Sequence, residues 1–145
     1  MASANTLCQK LLNVKNTVIE SHYFYTDTND VNRLRIRARP YATHQNDCPF
    51  CHRRNLPKYD CPSLFPKVWR GLDFGGIVVE IEANTHRVTC PEHGVVTADV
   101  PWAYPNASFT KDFDLTVAWL AEYLPRSAVA NYMRIDWQTD GLLKY

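Results

Sequence analysis

Two short motifs hold the residues best suited to chemistry: Cys48-Pro49-Phe50-Cys51 and Cys90-Pro91-Glu92-His93-Gly94. Each sets two soft or borderline metal ligands two residues apart, so one tight turn can present both side chains to one ion. Together they supply three thiolates and one imidazole, the donor set of a tetrahedral zinc site. Four protein ligands leave no coordination position open, so the expected cofactor is a structural Zn2+ held by Cys48, Cys51, Cys90 and His93. The 38 residues between Cys51 and Cys90 exceed the spacing of compact zinc ribbons, and an intervening hairpin is expected to absorb them. Gly94 suits a strained backbone after the second knuckle, whereas His52 stands at the matching place in the first.

Other uses of these residues have to be weighed. A Cys-x-x-Cys pair in redox catalysis should follow a buried strand and open a helix, where the dipole lowers the thiol pKa. Here the polar run His44, Gln45, Asn46, Asp47 precedes it and Arg53 to Pro57 follow. Plain burial of small thiols leaves the second knuckle unexplained. Cys61 and His52 are substitute ligands, Cys61 being otherwise a buried or loop thiol. Cys8 reads as a helix core residue, and His22, His44 and His86 as ordinary hydrogen-bonded histidines. An odd count of five cysteines without an export signal argues against a disulfide framework.

A second set of residues points to anions. From Val31 to Arg39 the chain alternates, with Leu34, Ile36 and Ala38 on one face and Arg33, Arg35, Arg37 and Arg39 on the other. Guanidinium groups so aligned repel one another unless they meet phosphates or carboxylates. DNA phosphates are one possibility. Glu80 and Glu82, which alternate with Ile77, Val79, Ile81 and Ala83, are the other.

The elements that must position these groups read as an α+β chain. A short helix over Asn5–Asn13, capped by Asn5 or Thr6, presents Leu7, Leu11 and Leu12. A strand over Thr17–Tyr25 pairs with Val31–Arg39 as an antiparallel hairpin. Asp47–Pro66 reads as loop. Ile77–Ala83, a turn at Asn84-Thr85 and His86–Cys90 read as a second hairpin, and Val95–Val100 as a further strand. After Pro101 the period becomes helical. Thr110 caps a helix with Asp112 and Asp114 in its first turn and a stripe of Phe113, Val117, Leu120, Ala121 and Leu124. Pro125 stops it. Ser127–Arg134 forms a second helix with Val129, Ala130 and Met133 inward, and Asp136 caps a third beginning at Trp137.

Length and composition agree with one small globular protein. The chain has 145 residues, 46% hydrophobic and 21% charged, which excludes a wholly disordered chain. No apolar run approaches the ~18–20 residues that span a bilayer, and no signal peptide is evident, so no membrane is expected as a partner. The net charge of +1 hides an asymmetry: residues 1–70 carry 11 Lys and Arg against 5 Asp and Glu, residues 71–145 carry 5 against 10. The basic half favours a polyanion.

The last three helices have helix-turn-helix proportions. The helix from Trp137 would enter the major groove, which makes Gln138 and Thr139 the candidates for contact with base edges.

These motifs together resemble the N-terminal region of a bacterial insertion-sequence transposase of the ISL-three family. The resemblance covers nearly the whole length. It runs through Arg37-Ala38-Arg39-Pro40-Tyr41, the Cys48-to-Cys51 knuckle, Trp69-Arg70-Gly71-Leu72-Asp73 and His86 to Gly94. It continues through Val100-Pro101-Trp102-Ala103, Phe109 to Phe113, Val117 to Ala121 and Met133 to Thr139. It implies a zinc-binding segment and a helix-turn-helix that grip the terminal inverted repeats of the transposon. It also implies double-stranded DNA as partner, the bacterial cytoplasm as location, and a second copy or a catalytic transposase chain as protein partners. In that family a catalytic domain with three metal-binding carboxylates follows, so the expectation here is a non-catalytic part. The expected organisation is an N-terminal β-hairpin and zinc ribbon over residues 1–104 and a C-terminal three-helix unit over 105–145. The competing function is a zinc-ribbon module that docks on a partner protein or a second copy, which the acidic C-terminal half keeps open.

Overall fold

A computed structural model describes residues 3–135, which form an α+β fold of three α-helices and two β-sheets. The first helix, α1 (Ala4–Leu12), starts one residue earlier than its composition suggested. Ser3 caps it by accepting the Thr6 N–H at 3.1 Å, in place of the expected Asn5 or Thr6. Its inward face is the i, i+4 pair Cys8 and Leu12, while Leu7 and Leu11 are exposed. Asn13 ends it in a left-handed conformation, which asparagine tolerates.

The expected antiparallel hairpin forms from β1 (Thr17–Thr26) and β2 (Asn32–Pro40), with Tyr23 opposite Arg35. Asp27 shapes the turn by accepting the N–H groups of Asn29 and Val31. Five shorter strands follow: β3 (Lys58–Asp60), β4 (Lys67–Arg70), β5 (Val78–Ala83), β6 (Arg87–Cys90) and β7 (Gly94–Thr97). One sheet has the order β1-β2-β5-β4, with β5 parallel to β2 and antiparallel to β4. The other has the order β3-β6-β7.

This corrects the second expected hairpin. Residues 77–83 and 86–90 do not pair. Val78, Val79, Glu80, Ile81 and Ala83 are all buried, so β5 is covered on both faces and takes a central place with a neighbour on each edge. The chain then crosses to the second sheet, where β6 pairs with β3 and β7. Strand β3 lies within the stretch Asp47–Pro66 expected as loop, and β4 carries no apolar–polar alternation to announce it.

The larger core lies on the Leu34–Ile36–Ala38 face. Fully buried Trp102 meets Trp69 edge to face at 5.4 Å, packed with Leu12, Ile19, Val79 and Ile81. Helix α2 (Lys111–Tyr123) is capped as expected by Thr110, whose Oγ1 accepts the Phe113 N–H at 3.4 Å. It stops before Pro125, because a residue preceding proline is driven to extended backbone, as Leu124 is. Helix α3 (Arg126–Met133) buries Val129 and Met133 against Phe109, Phe113 and Val117. The third helix expected from Trp137, with Gln138 and Thr139, lies outside the described residues.

Candidate functional site

The two knuckles come from different places and meet. The first is a turn over residues 48–51, closed by the His52 N–H donating to Cys48 O at 3.0 Å and the Cys48 N–H donating to Arg53 O at 2.9 Å. The second is the turn joining β6 to β7. Both turns end on a left-handed residue: Gly94 at φ 73° and, despite its Cβ, His52 at φ 62°.

The Sγ atoms of Cys48, Cys51 and Cys90 and a ring nitrogen of His93 all lie within 4.8 Å of one another. Cys48 Sγ is 3.5 Å from His93 Nδ1, Cys51 Sγ is 3.6 Å from Cys90 Sγ, and Cys90 Sγ is 3.7 Å from His93 Nδ1. A tetrahedron with zinc–sulfur and zinc–nitrogen arms of ~2.3 and ~2.05 Å has edges of about 3.5–3.8 Å. Three of the six donor separations are therefore those a zinc-sized ion requires, and the others stay within 4.8 Å. Cys48, Cys90, Leu56, Val88 and Ala98 form a small buried core around it.

The electrostatics suit a cation. Burial alone would push the Cys90 thiol up. The backbone N–H groups of Glu92 and His93, the His93 side chain and the Cys51 thiol outweigh it and hold Cys90 at about 6. The Arg53 N–H pulls the Cys51 thiol down, but burial and the neighbouring Cys48 and Cys90 raise it above the ordinary thiol value. Cys90 thus offers a thiolate to a cation at neutral pH, whereas Cys51 must give up its proton as the ion binds. Cys61 is exposed and outside the cluster, as is His52. His44 instead meets Asp47 Oδ2 at 2.8 Å, and His86 Nε2 meets Asn46 Oδ1 at 2.6 Å, the ordinary hydrogen-bonded roles expected of them.

The arginine face is real, and carboxylates cover it. In the parallel register Arg35 lies opposite Glu80 and Arg37 opposite Glu82. Arg33 contacts Asp27 at 2.7 Å and Glu80 at 3.6 Å. Arg35 contacts Glu80 at 3.1 Å and Glu82 at 3.9 Å. Burial works against the charge of both arginines, but their partners prevail and raise them above the usual guanidinium value. Tyr25 joins this lattice, donating its hydroxyl to Glu80 Oε1 and accepting from Arg35 at 2.9 Å. Arg37 and Arg39 are held more loosely: Arg37 lies 3.8 Å from Glu82, and both lie 3.9 Å from Glu20. They are also the most exposed of the four. Glu80 and Glu82 were candidate partners from their alternation. Asp27 and Glu20 were not, because a turn residue and a residue beside a bulge give no periodic signal.

Residues 98–139, which include α2 and α3, match the family described as the helix-turn-helix domain of transposase family ISL3. The chain is 41% identical over 139 residues to the transposase for insertion sequence element IS1557 of Mycobacterium tuberculosis strain CDC 1551 / Oshkosh, and equally to that of strain ATCC 25618 / H37Rv. The alignment takes in 94% of this chain and 31% of each relative, so the chain spans about a third of their length. No solved structure matches it. The family match favours DNA binding over a protein-docking module. The chain is thus similar over nearly its whole length to part of an insertion-sequence transposase, and within it residues 98–139 match the helix-turn-helix domain of transposase family ISL3.

Proposed function

We propose that this chain is the non-catalytic DNA-binding part of a bacterial transposase, folded around one structural zinc ion, and that it recognises the terminal inverted repeats of its insertion element. The match of residues 98–139 to a transposase helix-turn-helix carries the reading. The relatives are named as transposases for insertion sequence elements, which makes the ends of such an element the natural duplex. Strand cleavage and joining are assigned to the part of the relatives' length that this chain does not cover. A catalytic transposase chain or a second copy is the protein partner, and the bacterial cytoplasm the place of action. Among the described residues no helix is long and apolar enough to cross a membrane.

On this reading Cys48, Cys51, Cys90 and His93 hold Zn2+, and the ion joins two turns that the chain otherwise leaves 38 residues apart. Residues 1–104 form the metal-bearing unit and residues 105–145 the helix-turn-helix. Gln138 and Thr139 read base edges. The Arg33, Arg35, Arg37 and Arg39 face contributes phosphate contacts. Arg37 and Arg39 supply most of them, because Arg33 and Arg35 are committed to Asp27 and Glu80. The test is a binding comparison between a duplex carrying the element's terminal repeat and a scrambled duplex of equal length. The terminal duplex should bind more tightly, and Gln138→Ala should remove that preference without weakening binding to the scrambled one. Equal affinity of the wild-type chain for both duplexes would overturn the reading.

A further inference from the structure

The exit of α3 is gripped by a side chain 63 residues earlier in the sequence. Arg70 ends β4, opposite Glu80 and on the same sheet face as Arg35. Its guanidinium does not join the arginine lattice. It donates to Met133 O at 2.6 Å and to Arg134 O at 2.5 Å. It also lies 5.1 Å above the ring of Phe113, which stacks on Phe109 at 4.5 Å. The two carbonyls belong to the unsatisfied end of a helix, where the dipole favours a cation.

Arg134 answers from the other side. Its Nη2 donates to Asp73 Oδ2 at 2.5 Å and to Gly76 O at 3.4 Å, and Asp73 Oδ1 accepts from Arg70 at 3.4 Å. The turn between β4 and β5, residues 71–77, is thereby closed onto the last turn of α3. Arg134 has φ 56°, the left-handed conformation that helix ends usually give to glycine. The backbone makes the matching end motif, with the Ile135 N–H donating to Ala130 O at 3.0 Å. The arginine in this conformation places its side chain on Asp73. The chain then passes directly into residues 136–139, the end of the segment that matches the helix-turn-helix.

We propose that Arg70, Asp73 and Arg134 form a clamp that fixes the C-terminal end of α3, and with it the direction in which the chain leaves, relative to the β1-β2-β5-β4 sheet. Arg70 is then a positioning residue for base reading by the segment that follows. This rests on the DNA-binding reading above. Base-edge recognition needs its side chains held within about 0.5 Å and 10–20° of the productive geometry. Two backbone dihedrals per residue give an unclamped chain leaving a helix far more freedom than that.

The test pairs two readouts on the full, metal-loaded chain. Arg134→Gly supplies the residue type the left-handed turn prefers and removes the side-chain link to Asp73 and Gly76. Arg70→Met removes the other half of the clamp. Spin labels carried by unnatural amino acids at exposed Tyr23 and Tyr132 leave the cysteines untouched. The wild-type distance distribution should be narrow. Both variants should broaden it at a temperature where circular dichroism shows them folded. Their preference for the terminal over the scrambled duplex should fall about tenfold, the scale of one mismatched base pair, with binding to the scrambled duplex unchanged. An unbroadened distribution or an undiminished preference in the folded variants overturns the clamp. If Arg70→Met does not fold, Arg134→Gly decides. If the wild-type chain shows no preference between the duplexes, the DNA-binding reading fails, and the distance distribution still decides the clamp.

Discussion

Glu80 lies directly across a parallel strand pair from Arg35, with 3.1 Å between its Oε1 and the guanidinium, and it serves Arg33 and Tyr25 as well. One buried carboxylate therefore neutralises the middle of a face that would otherwise repel itself. Removing it leaves Arg35 with only the 3.9 Å contact to Glu82, while Arg33 keeps Asp27. Breaking a buried pair costs about 3–5 kcal/mol, and the partial exposure of Arg35 reduces that to roughly 2–4 kcal/mol. Urea unfolding of Glu80→Ala should show this loss, while Glu20→Ala, whose contacts are long and exposed, should stay within ~0.5 kcal/mol of wild type.

Phe113 anchors the helical unit. It is fully buried, stacked on Phe109 and covered by Arg70. Phe113→Ala should cost about 3–5 kcal/mol through lost burial and the cavity left behind. Thr110→Ala, which removes the cap of α2 and one buried methyl, should cost about 1–2 kcal/mol. A Thr110→Ala variant as damaged as Phe113→Ala would mean that the cap, and not the packing, holds α2 in place.

His86 gives stability a pH dependence of defined sign. Burial, helped by Lys58, lowers its pKa below the ordinary 6.5. The unfolded chain therefore takes up a proton near pH 6.5 while the folded chain still resists it. This contribution is fully present above that pH and is lost as pH falls from there to the depressed folded value. In zinc-saturated buffer, the stability difference between wild type and His86→Gln should be constant above pH 7 and should shift against the wild type below pH 6.5. A flat difference down to pH 5 would contradict it.

Arg37 and Arg39 should act on DNA through charge alone. Their double replacement by Ala should make the slope of log affinity against log salt shallower by about 1.8, since each phosphate contact on duplex DNA contributes about 0.9. The preference for the terminal duplex should not change. An unchanged slope would remove this face from the DNA interface.

Much of this was legible from residue types and spacing. The alternation of Leu34, Ile36 and Ala38 with the arginines gives β2, and the cap and stripe from Thr110 to Leu120 give α2. The four metal-ligand candidates converge because paired knuckles are a local device: each half is a turn, and a turn is written in a few adjacent residues. What stayed hidden is non-local. Nothing near Val78–Ala83 says that its neighbours are β2 and β4 and not the strand that follows. Short β3 and β4 lie in proline-rich chain with no repeat to read. Arg70 appears as part of a motif, yet its partners Met133 and Arg134 are more than sixty residues away. That Cys8 and Leu12, not Leu7 and Leu11, face inward is decided by the core they join, which spacing along α1 does not show.

Native mass spectrometry of the chain mixed with the terminal-repeat duplex and the scrambled duplex tests the central claim most directly, because one spectrum weighs protein, metal and DNA together. The predicted complex contains one zinc ion per chain and forms in preference on the terminal duplex. Cys61→Ser should leave it intact, and Cys90→Ala should lose both the zinc and the preference. A terminal-duplex complex whose mass includes no metal, or a metal-loaded chain that takes up neither duplex, would contradict the account.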